Sequence, residues 1–360
     1  MRKLKVLAFS DLHLGEPEGL LNDKGPNIVD IVVNKVSELA KGDGDLEAGI
    51  EELILIGDIA DLSEAKEKEA YTNTKTFLTT LLKSVPVDKV VYIPGNHDHN
   101  LWVKILEQDK KKKYAECTPK TGLDIKNIDT FKNALKDNWF IPDSYNGEVE
   151  AHYPFYEVKI ESSHFFFDHG HLFSPILTGK AGNVNSLDMI EENTYRFMEK
   201  VWFQGKKGWT AKVRERVYDW FRWAFLRISH PSRGTTFKED STPLYDDDLR
   251  ANAVKYLENM VKVDKAKMED FHLVFGHTHA GGRVRREDRK FRVNDHFITL
   301  WNTGGWLVPS EVFSPDAYVF YIERTQNELK PQAYKFVAKK DSQEGDYNRS
   351  ILDELVKRIG

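Results

Sequence analysis

Cysteine is almost missing from this sequence. Cys117 stands alone among 360 residues, which excludes an internal disulfide framework and a cysteine-based structural zinc site. A single thiol suits a reducing interior. Long apolar runs are missing too. The opening stretch, Met1 to Ser10, holds too short an apolar run for a secretory signal, and no uninterrupted apolar segment reaches bilayer-spanning length. The expectation is a soluble, cytoplasmic chain. Nor is there an excess of positive charge: 52 Lys and Arg against 57 Asp and Glu leave a net charge of −5. That balance disfavours a globally basic nucleic-acid binder. Internal repeats and low-complexity tracts are also absent. What remains is ordinary for a globular protein, 40% hydrophobic and 30% charged, and long enough for one large domain or a core with an insertion.

Histidine is where the sequence departs from the ordinary. Seven of the 12 histidines fall in four short strings: Asp11-Leu-His13, Asn96-His-Asp-His99, His169-Gly-His171 and His277-Thr-His279. Scattered core histidines do not group this way.

The apolar pattern places these strings. Lys3 to Phe9 reads as a strand. Ile28, Ile31, Val32, Val36 and Leu39 recur at helical spacing. Leu53 to Ile56 and Val90 to Ile93 are short apolar runs that fit buried strands. Glu64 to Ser84 reads as a helix stopped at Val85-Pro86. The first hundred residues are thus β-α-β-α-β, the order of a parallel sheet under helices. Tyr156 to Ile160 and Phe165 to Phe167 form two strands around Glu161-Ser-Ser. Further strands are expected at His272 to Phe275, Phe297 to Trp301 and Tyr318 to Ile322, with mixed or antiparallel pairing. The predicted fold is α/β, a two-sheet β-sandwich flanked by helices, with a helical insertion. Its core spans 1–172 and 247–340, its lid or cap 173–246, and a C-terminal helix 341–360. The charged stretch Lys104 to Ser144 reads as a solvated loop or helix face.

Each polar string follows a strand. Ser10-Asp11-Leu-His13, Gly57-Asp58-Ile-Ala-Asp61, Gly95-Asn96-His97-Asp98, His169-Gly-His171 and Gly276-His277-Thr-His279 would therefore gather at the carboxyl ends of five strands, where α/β sheets bind ligands. Carboxylates, imidazoles and one amide suit borderline divalent ions such as manganese, iron, zinc or nickel, rather than an all-oxygen calcium cage. There are more donors than one tetrahedral ion needs. A pair of ions sharing a carboxylate would use them, and such a pair polarises a phosphoryl oxygen and activates water.

Asp-x-His, Gly-Asp-x-x-Asp, Gly-Asn-His-Asp, a histidine string and Gly-His-x-His in this order resemble the signature of the calcineurin-like metallophosphoesterase superfamily. The resemblance implies a β-sandwich with flanking helices and hydrolysis of a phosphate ester or pyrophosphate by in-line attack of metal-bound hydroxide. It implies that Asp11, His13 and His279 ligate one of two divalent ions, for which manganese is the expectation. Asp58 would bridge both ions, and Asn96, His169 and His277 would complete the second. His97 would contact the phosphate or protonate the leaving oxygen, with Asp61 orienting it and keeping it cationic. His171 is a lesser candidate beside the metals or the substrate. Arg283 is a candidate phosphate contact, with a solvated arginine as the plain alternative. Leu62-Ser63 stands where the protein phosphatases of this superfamily carry Arg-Gly, which disfavours a phosphoprotein substrate. Asn302-Thr-Gly-Gly-Trp306 reads as a glycine turn, without chemistry assigned.

The insertion carries the substrate clue. Four of the eight tryptophans lie between Trp202 and Trp223, and eight Lys or Arg face only Glu215 and Asp219 between Lys206 and Arg233. This is either a structural cap or a basic, aromatic segment, 201–233, that meets a lipid-linked substrate or a membrane surface. Glu192-Asn-Thr-Tyr-Arg196 with the basic helix after it resembles the pyrophosphohydrolases that cleave UDP-diacylglucosamine, although those carry His-Gly-Asp where this chain has His169-Gly-His171. The expected partner is a phosphorylated small molecule or lipid-linked substrate. A nuclease of the same superfamily and an inert metal-binding scaffold are the competing readings.

Overall fold

The computed structural model describes residues 1–16, 19–21, 28–61, 67–97, 140–173, 247–260, 270–279, 282–285, 292–293, 296–306, 317–325, 328–338 and 352–353. Two sheets organise them. In the first, β1 (Arg2–Phe9), β2 (Glu47–Ile56), β3 (Val87–Ile93) and β4 (Glu148–Ala151) run parallel. In the second, β5 (Phe155–Ile160) pairs antiparallel with β6 (Ser163–Asp168). β6 then runs parallel to β7 (Asp270–Phe275), and β7 to β10 (His296–Asn302). The short strands β8 (Gly282–Arg285) and β9 (Arg292–Val293) pair antiparallel with β10. On its other edge the first sheet continues antiparallel through β11 (Ala317–Arg324), β12 (Leu329–Ala338) and β13 (Leu352–Asp353).

The strand sequences explain the layering. Val6 and Ala8 of β1, Ile54 and Ile56 of β2, and Val91 and Ile93 of β3 face the second sheet and cluster with its Phe165, Phe167, Val274 and Trp301. The alternate residues, Leu7, Phe9, Leu53, Leu55, Val90 and Tyr92, turn outward. There they are covered by α1 (Ile28–Leu39) and α2 (Glu67–Ser84), through Val32, Val36, Phe77 and Leu81. A third helix, α3 (Asp247–Met260), covers the outer face of the second sheet with Leu249, Ala253, Tyr256 and Leu257 against Phe166, Phe271 and Leu273. Strands buried on both faces read as continuous apolar runs, and these do.

The predicted α/β sandwich stands, and every predicted strand is present, several of them longer than the apolar run that marked it. The pattern missed α3, β4, β8, β9 and β12. At 352–353, inside the stretch read as a C-terminal helix, the chain instead adds β13 to the open edge of β12. The remainder of 341–360, residues 174–246 of the insertion with its basic segment 201–233, and 104–139 of the charged stretch lie outside the described residues. Among the described residues no helix is long and apolar enough to cross a membrane.

Candidate metal centre

The parallel strands β1, β2 and β3 of one sheet, and β6, β7 and β10 of the other, end at a shared edge. Each delivers its polar string there. Asp11, Asp58 and His169 are almost completely buried, and His13 and Asn96 nearly so. Carboxylates and imidazoles buried this deeply need partners, and here they face one another.

Asp11, His13 and His279 form one cluster, their ligand atoms all within 4.8 Å of one another. His13 Nε2 lies 3.2 Å from His279 Nε2, and His279 Nε2 lies 3.3 Å from Asp11 Oδ1. We call this the first candidate metal position. Asp58, His169 and His277 form the second. Asn96 Oδ1 joins it, 2.8 Å from His169 Nε2 and 2.9 Å from His277 Nδ1, and Asp58 Oδ2 is 3.2 Å from His169 Nε2. His169 Nδ1–H donates to the Ile56 carbonyl at 3.0 Å, which aims Nε2 at this position. His13 Nδ1–H donates to Asp61 at 3.1 Å, aiming its Nε2 at the first. The donor set is mixed nitrogen and oxygen and fits a borderline divalent ion at each position.

The backbone accommodates this crowding in two ways. Asp11, His13, Asp58, His277 and His279 all have φ between 44° and 63°, a left-handed conformation that is rare outside glycine and concentrates at functional sites. The motif glycines answer close approach: a methyl group at Gly95 would overlap Asp58 Oδ1, and one at Gly276 would overlap Asp11 Oδ2.

Asp61 lies between His13 and His97. Asp61 Oδ2 is 3.5 Å from His97 Nδ1 but 3.1 Å from His13 Nδ1. It therefore serves a ligand of the first position as well as His97, and His13, Asp61 and His97 form a third cluster. Burial alone would lower His97, but the carboxylates of Asp58 and Asp61 push it up to about 10. It is thus a cation at neutral pH. Its backbone N–H donates to Asp58 Oδ1 at 2.8 Å, fixing the loop without using the side chain. Burial opposes ionisation of Asp58, yet His169 and His97 hold it well below the usual carboxylate range. His169 is pushed up to about 9, its burial outweighed by Asp58.

His171 is 2% exposed, its ring 5.4 Å from that of His169, and neither ring nitrogen has a hydrogen-bond partner among the described residues. Burial, then His169, keeps it well below its usual range and neutral. Arg283 sits in β8 opposite Trp301; its side chain lies outside the described residues, as do Asp98 and His99.

The segment read as a plain glycine turn holds the site together. Thr303 N–H donates to the Phe275 carbonyl at 2.8 Å. The Thr303 hydroxyl meets that of Ser10, whose single proton goes to the acceptor-only carboxylate of Asp11. Asn302 Nδ2 donates to the Thr278 hydroxyl at 2.8 Å, between the two ligand histidines, and Trp306 N–H to the Asp11 carbonyl at 3.1 Å. Its strand-end position was the available signal, the same one that marked the other five strings.

No curated protein matches the chain. Among solved structures, Vps29 of Entamoeba histolytica complexed with zinc is 13% identical with a TM-score of 0.33, over 94% of each chain. Vps29 of Chaetomium thermophilum is 10% identical with a TM-score of 0.32, over 94% of this chain and 90% of that one. The model of one family, calcineurin-like phosphoesterase, matches residues 4–281. That span takes in every ligand string described above, and the chain belongs to the calcineurin-like phosphoesterase family.

Proposed function

We propose that this chain is a two-metal hydrolase of a phosphate ester or anhydride. The observation that carries the reading is the pair of adjoining donor clusters with a cationic imidazole at their rim. Asp11, His13 and His279 would hold one divalent ion, and Asn96, His169 and His277 the other, with Asp58 between them. When bound, such a pair supplies Lewis acidity toward a phosphoryl oxygen and lowers the pKa of water.

The chain's own groups supply the rest. His97, cationic beside Asp61 and Asp58, is placed to stabilise charge on the phosphoryl group and to give its proton to the departing oxygen. His171, neutral and without a hydrogen-bond partner among the described residues, is suited to accept a hydrogen bond from a bound water or a protonated phosphate. The substrate class we favour is a phosphorylated small molecule or a lipid-linked pyrophosphate, the latter through the basic, aromatic segment 201–233 at a membrane surface. Manganese is the favoured ion.

The test is hydrolysis of bis(p-nitrophenyl) phosphate and p-nitrophenyl phosphate by metal-stripped protein with manganese restored. We expect turnover that depends on manganese and disappears in Asp58→Asn, and the diester-to-monoester ratio narrows the substrate class. Full metal loading without turnover on either ester would sink the hydrolase reading and leave a metal-binding scaffold.

A further inference from the structure

We infer that Tyr256 is a positioning residue for the second metal position, acting through Asp168 on His169. The inference rests on the two-metal reading above. Asp168 ends β6 and immediately precedes His169. It is completely buried, so both carboxylate oxygens need donors. They have them. Oδ1 accepts the Gly170 N–H at 2.7 Å, and Oδ2 accepts the Tyr256 O–H in a short hydrogen bond. Asp168 thus holds the backbone on the far side of His169, while the Gly276 N–H holds the His169 carbonyl at 3.1 Å. The imidazole itself is oriented by Ile56. Tyr256 anchors this loop from a helix.

The tyrosine ring and its hydroxyl do separable work. The ring is buried in the outer core of the second sheet, 5.3 Å from Phe173 between centroids. A phenylalanine there would keep that packing. Only the hydroxyl reaches Asp168, and losing it leaves a buried carboxylate oxygen unfilled. Asp168 would then turn toward another donor and take the Gly170 bond, and the strand end carrying His169, with it. Helix α3 is also the first described element after the insertion, so the hydroxyl ties that return of the chain to a metal ligand.

Manganese titration of the metal-stripped full chain by calorimetry, with wild type, Tyr256→Phe and Asp168→Ala, tests this. We expect two sites in the wild type. In Tyr256→Phe one site should weaken by about 10–100-fold, the range for an outer partner of a metal ligand. The other should stay within about twofold, since the hydrogen bonds described for this loop run to Tyr256, Gly276 and Ile56 rather than to Asp11, His13 or His279. Asp168→Ala should act on the same site at least as strongly. General destabilisation would weaken both sites alike, so their affinity ratio separates positioning from packing. Two wild-type sites with an unchanged ratio in both variants overturn the proposal alone. A wild type that binds fewer than two ions overturns the two-metal reading, and the proposal with it.

Discussion

At the scale of single residues, the site is a set of charges whose neighbours decide their roles. His97 reaches Asp61 with its side chain and Asp58 with its backbone, so the two functions can be cut apart. His97→Ala should lower kcat by about 10²–10⁴-fold, the usual worth of a general acid. Manganese stoichiometry should stay at the wild-type value because the backbone bond survives; parallel loss of both would refute the division. Asp61→Asn should behave differently. Asp61 lies closer to His13 than to His97, so its loss should weaken the first metal position by about 10–100-fold in addition to slowing turnover. Metal titration reads the first effect and saturating-metal kinetics the second; a purely kinetic defect would return Asp61 to His97 alone. The clustering of these carboxylates and imidazoles was legible because each string is short, chemically distinctive and fixed to a strand end. The double duty of Asp61 was not. It depends on a contact between residues 48 positions apart, one of them in a left-handed turn, and the sequence does not show which carboxylate such a histidine meets.

At the scale of elements, legibility followed apolar periodicity. β1, β2 and β3 are apolar on both faces and stand out. β12 does not: Pro331 near its start, an unfavourable strand residue, and Lys330 and Lys335 mask the helix-covered face to which Tyr334 and Phe336 belong. β4, Glu-Val-Glu-Ala, buries only Val149 and Ala151. α3 was lost beside the insertion. The loop after β10 was read as turn chemistry because glycines dominate it. In the structure Gly305 is required by contact, since a methyl group there would lie 2.7 Å from the His279 ring. Thr303→Val tests the loop's role. It keeps the shape and removes the hydroxyl behind Ser10 and Asp11. We expect a stability loss of about 1–3 kcal/mol in urea unfolding and weaker binding at the first metal position. A variant with wild-type metal affinity would show the loop to be architecture only.

At the scale of the molecule, the strand order could not be read from one sequence, yet it determines what metal does to the fold. Sheet one carries Asp11, His13, Asp58 and Asn96; sheet two carries His169, His277 and His279. Each proposed ion therefore takes ligands from both sheets and clamps the edge of the sandwich. Binding to the folded chain alone stabilises it by about 4 kcal/mol per site at a thousandfold excess over Kd, so chelation should lower Tm by several degrees. The pH dependence has a definite sign. His169, at about 9, must lose its proton before Nε2 can ligate. Below that value the proton competes, and each unit of falling pH costs up to about tenfold in affinity, or about 1.4 kcal/mol of metal-linked stability. His277, held well below its usual range by burial and then by His169, is already neutral and adds no such competition. The gap in Tm between metal-loaded and chelated protein should thus widen from pH 7 to pH 9 and then level off. Calorimetry in buffers of different ionisation enthalpy should detect about one proton released per ion at the second position at pH 7. A gap that is flat across this range, with no proton released, would place His169 outside the coordination sphere.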